Sequence, residues 1–284
     1  MLEMLLSPKK AERHPWMMFI VGVFYAALAF GLVNFIFGDD LVLASYSGIL
    51  LVTFTVMFTM PFIYYVIKRE EEKDLKDTGS LKMLLGHHRI FQALIWMFIG
   101  FLVAFSLGYV LFPQTQSFKA QIETFCSINR PGSFDQCVTQ YGVRPPKQTA
   151  AVAGKERLFI IFSNNIYVLI FTLVFSLIFG AGAVFVLAWN ATVIAAAIGI
   201  FSRESVINIP IGLARYMTHG IIEIGAYFVG AVAGGIISIA IIKHEINSQR
   251  FWNIMQDSFN LIIIAILLLA VGAFVEVFIT PWLF

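Results

Sequence analysis

Polar residues interrupt three apolar stretches in the second half of the chain: IFSNNIYVLIF (Ile161–Phe171), FGAGAVFVLAWN (Phe179–Asn190) and THGIIEIGAYFVGAVAGG (Thr218–Gly235). The stretches contain two adjacent asparagines, several glycines, and a histidine four residues before a glutamate. A polar group inside a bilayer costs free energy unless it is paired, so such residues often mark functional sites. We therefore expect the site of this protein in these three stretches.

The composition is that of a membrane protein. Hydrophobic residues make up 59% of the 284 residues and charged residues only 13%, with a mean hydropathy of +0.84. A soluble domain carries roughly 25% charged residues. The apolar runs are continuous and do not alternate, which favours an all-α polytopic helical membrane protein over a β-barrel. The net charge of +2, without a long basic run, argues against a nucleic-acid partner.

The apolar runs predict about seven transmembrane segments. The apolar stretch 158–201 would be about 65 Å of helix, twice the ~30 Å of the hydrocarbon core, so we expect a break near Gly180–Gly182 or near Asn190. The segment after this break is short enough to be re-entrant or broken, which a membrane tolerates where protein covers the backbone. The predicted segments are Trp16–Phe37, Val42–Ile67, Ile90–Phe112, Ile160–Phe179, Val184–Phe201, Met217–Ile242 and Phe259–Trp282.

Four polar segments are predicted to connect these spans: Lys68–Arg89, Gln114–Arg157, Ser202–Tyr216 and Lys243–Asp257. Lys68–Arg89 has the mixed charges of a solvated helix, and Pro61 before it should kink or end the second span. Lys243–Asp257 is predicted to be an amphipathic connector. We accordingly divide the chain into a three-helix region (1–112), an extracytoplasmic loop (113–157) and a C-terminal membrane domain (158–284).

The long loop contains both cysteines, Cys126 and Cys137. They could close a disulfide ring if the loop lies on the oxidising side of the membrane, or they could be two separate thiols. With the N-terminus inside, the inside segments hold 11 Lys and Arg and the outside loops hold 8. This bias and the cysteines favour a cell-membrane protein with a cytoplasmic N-terminus and an extracytoplasmic C-terminus. The first span lacks the features of a removable signal peptide.

His219 and Glu223 are four residues apart, so a helix places them on one face. They could bind a cation or relay a proton, or they could join Asn164 or Asn165 by buried hydrogen bonds. Glu276 could reach the membrane interface or complete a network with His219. One imidazole and one carboxylate are too few ligands for zinc, so whether a metal binds is left open.

Small residues at Ala226, Gly230 and Gly234 recur every four positions, a spacing that lets helices approach closely. We favour packing within one subunit over a homodimer seam. Gly180, Gly182 and Gly220 are further candidates for close packing. Asn190 is a further candidate for the binding site or buried polar cluster, and Asn164 and Asn165 could satisfy backbone groups at a helix break or contact a substrate. No nucleophile elbow, phosphate-binding loop or dinucleotide fingerprint occurs, so neither an enzyme nor a cofactor is predicted.

The residues Asn164, Asn165, Phe175, Gly180, Gly182 and Asn190, followed by His219, Gly220, Glu223 and Ala226, resemble the stage II sporulation protein M family. The resemblance covers 158–242. The family usually has proline where this chain has Thr218, and often Asn-Gly where this chain has Asn190–Ala191. In spore formers, the family's namesake works in a membrane complex with peptidoglycan-degrading partners. Members of the family occur far beyond spore formers, so this cellular role is not carried over, and the resemblance to the wider family implies a membrane scaffold or a transporter.

Two functions follow as hypotheses. The first, which we prefer from sequence, is a scaffold that organises partner proteins in the lipid bilayer, with the polar residues as internal hydrogen-bonding groups. The alternative is a transporter or channel for a small polar solute or cation, with a site near His219 and Glu223. A wet, polar-lined cavity would favour transport, whereas a dry network with every group satisfied would favour the scaffold. The absence of a repeat of these motifs argues against transport.

Overall fold

The computed structural model describes residues 14–38, 40, 43–74, 88–112, 117–129, 133–141, 154–179, 182–202, 207, 209–242 and 249–284. Within these ranges the chain is almost entirely helical and contains no strand. Six helices among them are long and apolar enough to cross a membrane, and Val184–Ile200 is a shorter apolar helix. The predicted class, an all-α polytopic membrane protein with one shorter element in its second half, is confirmed.

The outward faces of the long helices are apolar. Phe35, Tyr167 and Trp282 are 76%, 72% and 83% exposed, and many other large apolar side chains are exposed with them. A soluble monomer rarely exposes contiguous apolar surface on this scale, whereas contact with hydrocarbon requires it. The exposed apolar faces are therefore those that meet lipid.

The first three long helices are α1 (Met17–Ile36), α2 (Ser47–Asp74) and α3 (His88–Leu111). α2 follows a 3₁₀ turn at Leu43–Tyr46, and Pro61 does not end it. Of the two predicted effects of Pro61, the end of the span does not occur, because neighbouring groups can satisfy the backbone that a proline frees within a membrane, and the kink stays a prediction. The first residues of Lys68–Arg89, the segment predicted to be a solvated helix, continue α2 as far as Asp74. Residues 75–87 of this segment lie outside the described part of the chain.

The segment Gln114–Arg157, predicted as a polar loop, contains two helices, α4 (Lys119–Asn129) and α5 (Phe134–Tyr141). Cys126 and Cys137 lie at disulfide-bonding distance, with Cα atoms 5.7 Å apart, and both side chains are buried. α4 packs one of its faces against neighbouring helices, and this packing stabilises its helical conformation. Its Gln121 is fully buried and donates from Nε2 to Gly48 O at 2.9 Å on α2.

The second half contains α6 (Gly154–Phe179), α7 (Gly182–Ser202), α8 (Ile209–Ile242) and α9 (Gln249–Phe274). A π-helical turn (Val275–Ile279) and the short α10 (Thr280–Leu283) continue α9 to the end of the chain. α6 ends at Phe179 and α7 begins at Gly182, on either side of the first predicted break, of which residues 180 and 181 lie outside the described part of the chain; the second predicted place, near Asn190, lies inside α7.

Two predicted connectors are wrong in part, because helices begin inside them. α8 begins at Ile209, within Ser202–Tyr216, and runs without a break to Ile242. Pro210 is tolerated there because the first-turn N–H groups of a helix have no intrahelical partner. α9 begins at Gln249, within Lys243–Asp257, where its polar residues form the end of a longer helix.

α7 lies at the centre of the molecule. It contacts α2, α3 and α4 on one side and α6 and α8 on another. Its buried face is mainly small and branched, including Val184, Ala191, Ala195 and Ile198, each fully buried. A helix covered by protein in this way does not have to match the lipid thickness, which accounts for its short apolar length.

Candidate functional site

Polar side chains from α6, α8 and the C-terminal end of α9 meet inside the second half of the molecule. The amide of Asn165 donates from Nδ2 to Glu223 Oε1 at 2.7 Å, which joins α6 to α8. Asn165 is buried, and Asn164 Nδ2 contacts its Oδ1 at 3.5 Å. Asn165 therefore faces the protein and orients Glu223, while Asn164 contacts it from the preceding position.

His219 is held between two groups near the C-terminus. Its Nδ1 lies 3.3 Å from Thr280 Oγ1, and its Nε2 lies 3.9 Å from Glu276 Oε2. The Thr280 hydroxyl donates to Val275 O at 3.1 Å, so its oxygen can accept the Nδ1–H of His219. This arrangement leaves Nε2 facing the carboxyl group of Glu276.

Glu276 belongs to the π-helical turn Val275–Ile279. π turns are rare, and they occur frequently at functional sites because the extra residue changes the direction of the side chains around it. The bond from Thr280 to Val275 reaches back five residues, as the wider turn allows. The irregular turn thus brings Glu276 and Thr280 to His219 together.

Gly272 lets the two glutamates approach each other. A Cβ atom at Gly272 would lie only 2.8 Å from Glu223 Cγ, so α9 can pass this close to Glu223 only where it has no side chain. Glu276 is four residues after Gly272, on the same face of the helix. The carboxyl groups of Glu223 and Glu276 are therefore neighbours, and the two interact electrostatically.

Tyr227 extends the cluster along α8. It lies one turn beyond Glu223, and its side chain is only 2% exposed. Both Glu223 and Glu276 act on it electrostatically. Among the residues that the structure describes, its buried hydroxyl group has no hydrogen-bond partner.

The cluster lies deep in the apolar part of the molecule. Asn165 is nine residues into the span that begins at Glu156, and Glu223 is fourteen residues into the one that begins at Ile209. At 1.5 Å per residue these positions are about 14 Å and about 21 Å from the ends of their spans. Arg157 and Arg215, near the starts of α6 and α8, are close enough for their charges to act on His219.

A group of three His, Cys, Asp or Glu side chains that could hold a metal ion does not occur in the described ranges. Asn190 makes its hydrogen bond within its own helix, from Nδ2 to Val186 O at 2.9 Å. Gly180 lies outside the described residues, and Gly220 leaves space, with Ile194 Cδ1 3.8 Å from its would-be Cβ. A Cβ atom at Gly182 would collide with Ser176 at the turn between α6 and α7.

The small residues of α8 face α6 of the same chain. A Cβ atom at Gly230 would collide with Leu169, and one at Gly234 would lie 2.8 Å from Ser176 Cβ. Ala226, on the same stripe, is fully buried. Packing within the chain thus occupies this stripe of α8.

Three residues of the cluster were missed by the sequence analysis: Tyr227, Gly272 and Thr280. A four-residue spacing in the sequence could have indicated them. Glu223 is four residues after His219, and Tyr227 is four residues after Glu223. Gly272 and Thr280 likewise flank Glu276 at four residues on either side. What the sequence did not contain is which helix faces which.

Comparison with known proteins gives two matches. The family model described as stage II sporulation protein M matches residues 9–281, far beyond the 158–242 expected from the motifs. A protein of Methanocaldococcus jannaschii, described as uncharacterized, is 32% identical over 126 residues, which are 43% of this chain and 69% of the relative. No solved structure matches the chain.

Proposed function

The chain belongs to the stage II sporulation protein M family, and we propose that it binds a small cation in the membrane and carries it across. The observation that carries this proposal is the adjacency of Glu223 and Glu276, from two helices, in an apolar interior. Each acidic residue at the centre of a membrane helix costs about 2.5–3.5 kcal/mol on insertion scales. Such residues are retained mainly for ion or proton pathways.

Structural hydrogen bonding alone does not account for this cluster. Interhelical hydrogen bonds in membrane proteins contribute about 0.6 kcal/mol on average, much less than one buried carboxyl group costs. Asn165 and Glu223 would already join α6 to α8 without a second glutamate. The unpartnered hydroxyl of Tyr227, among the described residues, also makes this network incomplete. Both features favour the transport hypothesis over the scaffold that the sequence favoured.

The geometry of the cluster supports a site with access from one end of the molecule. α6 and α8 begin, and α9 ends, on the same side, because successive long helices run in opposite directions. Beyond Tyr227 the same helices contribute a mainly apolar core, in which Leu169, Leu261, Ala265 and Leu269 are at most 2% exposed, and α6 and α9 also bury the hydroxyl groups of Thr172, Ser176 and Ser258. We propose that this core closes the site on one side and that the cation reaches the cluster from the other side.

The proposed topology has a cytoplasmic N-terminus and an extracytoplasmic C-terminus, with α7 counted as a crossing. The bias of Lys and Arg toward the inside segments and the paired Cys126 and Cys137 support it. In this topology the polar cluster has its access from outside.

The experiment is the thermal stability of the purified protein across a panel of cations, in wild type, Glu223→Gln and Glu156→Gln. Glu156 is exposed in the first turn of α6, so its variant makes the same chemical change away from the cluster. A cation that binds the folded state at 100 times its Kd stabilises it by about 2.7 kcal/mol. We expect this stabilisation in wild type and Glu156→Gln, and its loss in Glu223→Gln.

Ion flux into liposomes containing the protein is the second readout, and it should follow the same order among the three proteins. If no cation stabilises the wild type, the proposal is wrong. The cluster would then be structural, and the scaffold that organises a membrane complex becomes the better hypothesis. A Glu223→Gln protein that transports as fast as wild type would also contradict the proposal.

A further inference from the structure

The hydroxyl group of Tyr227 is one of five buried polar side-chain atoms without a hydrogen-bond partner among the described residues, and the charges of Glu223 and Glu276 act on it. The side chain is 2% exposed and its Oη atom is buried, yet no described residue forms a hydrogen bond with it. Buried polar atoms almost always have partners, and those that have none require an explanation such as a bound ion or ligand. The hydroxyl is therefore available to a group that the polypeptide does not provide.

The surroundings of this hydroxyl are acidic. Tyr227 is one helical turn from Glu223 on the same face of α8, so the two side chains project in one direction. Glu223 and Glu276 are the charged groups that act on Tyr227. A lone hydroxyl oxygen beside two carboxyl groups is an arrangement suited to a cation.

We propose that the Tyr227 oxygen is a ligand of the cation site, and that the ion is an alkali-metal cation that has lost most of its water. This inference rests on the proposed function and specifies its substrate class. The other polar groups of the cluster are the carboxyl groups of Glu223 and Glu276 and the amide group of Asn165, which is hydrogen-bonded to Glu223. These are hard oxygen donors, which suit alkali and alkaline-earth cations better than transition metals.

The same donors include only two carboxyl groups, whereas protein sites for divalent cations such as Ca²⁺ gain affinity from the number of charged ligands. Where the chain is described, no three acidic, His or Cys side chains converge to hold a metal ion.

The test compares wild type with Tyr227→Phe and Tyr167→Phe, each as the full chain purified in detergent. Tyr227→Phe removes only the hydroxyl group, and Tyr167→Phe makes the same change at a residue that is 72% exposed. The probe is NaCl titrated against N-methylglucamine chloride at constant ionic strength, and the readout is the melting midpoint. We expect about 10- to 100-fold weaker apparent Na⁺ affinity in Tyr227→Phe, as for a lost bond to a charged group.

The stability without Na⁺ distinguishes a ligand from a structural residue. Because the hydroxyl has no partner in the described structure, Tyr227→Phe should melt at least as high as wild type when Na⁺ is absent. Tyr167→Phe should match wild type throughout. A Tyr227→Phe protein that is destabilised without Na⁺ would overturn the inference, since its hydroxyl would then have a structural role.

The remaining outcomes separate this inference from the proposed function. Unchanged Na⁺ affinity in Tyr227→Phe, with loss in Glu223→Gln, would overturn the role of Tyr227 and leave the cation site intact. Stabilisation of wild type by Ca²⁺ or Zn²⁺ but not by Na⁺ or K⁺ would overturn the alkali-metal assignment alone. If acid stabilises the protein and no metal ion does, the alkali-metal assignment is overturned and the site binds a proton. If neither acid nor any metal ion has an effect, both proposals fail.

Discussion

Replacing Gly272 by alanine is the most direct test of the geometry at the two glutamates. The new Cβ atom would lie 2.8 Å from Glu223 Cγ, closer than real Cβ atoms approach other heavy atoms. Because Cγ is in the middle of the Glu223 side chain, the whole side chain has to move. That movement would strain or break its 2.7 Å hydrogen bond from Asn165.

The magnitude follows from three contributions. Overpacking of a tight interior costs about 1–3 kcal/mol. Loss of the interhelical hydrogen bond adds about 0.6 kcal/mol. Replacing glycine by alanine within a helix stabilises the folded protein by up to about 1 kcal/mol, which offsets part of this loss. The net expectation is a loss of about 1–3 kcal/mol in the free energy of unfolding, together with weaker cation binding because Glu223 is displaced.

The matched control is Gly225→Ala on α8, where a Cβ atom would meet nothing within 4 Å. This variant keeps the gain in helix propensity and has no overpacking, so it should be as stable as wild type or slightly more stable. Reversible unfolding in mixed micelles, followed by tryptophan fluorescence, measures both variants. Equal stability and equal cation affinity in the two variants would refute the proposed proximity of α9 to Glu223.

Two further predictions concern the first half of the chain. Gly22→Ala should greatly reduce the yield of folded protein, because its Cβ atom would collide with a backbone carbonyl of α3. Gly31→Ala is the control and should be tolerated, because the nearest atom to its Cβ would be 3.9 Å away. Size-exclusion chromatography in detergent compares the yields of the two variants. The double variant Cys126→Ser/Cys137→Ser should lose about 2–3 kcal/mol of stability with unchanged cation affinity, since it removes a cross-link over an 11-residue separation and changes none of the residues of the polar cluster. Protein extracted with its thiols blocked should carry the disulfide, and free thiols on both cysteines would contradict the extracytoplasmic placement of this loop.

The sequence predicted the class of fold because hydrophobic length is a one-dimensional property. Each apolar run long enough to cross a bilayer became a helix, and the break between α6 and α7 followed from total length alone. Element ends were harder to predict. Ile209–Tyr216 was assigned to a connector because of its proline and arginine, yet a helix can extend beyond the hydrocarbon with such residues in its first turns.

The candidate site was predictable along each helix but not between helices. The spacing of His219 and Glu223 indicated a shared face, and Asn165 was one of their suggested partners. The pairing of Glu223 with Gly272, and of His219 with Thr280, depends on how α9 crosses α8. The π turn that directs Glu276 has no signature in the local sequence. Such contacts are set by tertiary packing, which a hydropathy pattern does not encode.

The packing of α7 explains why the family match begins near the N-terminus although the polar cluster lies in the second half. α8 faces the cluster with Glu223 and Tyr227, while its Ile224 and Phe228 belong to the core that α7 shares with α1, α2 and α3. α7 is also tied to α4 by the bond from Gln121 to Thr192 at 3.2 Å. Without the first three helices, the alanine-rich face of α7 would meet lipid, and α8 would lose part of the packing around Ile224 and Phe228. The position of Glu223 therefore depends on the whole matched region, 9–281.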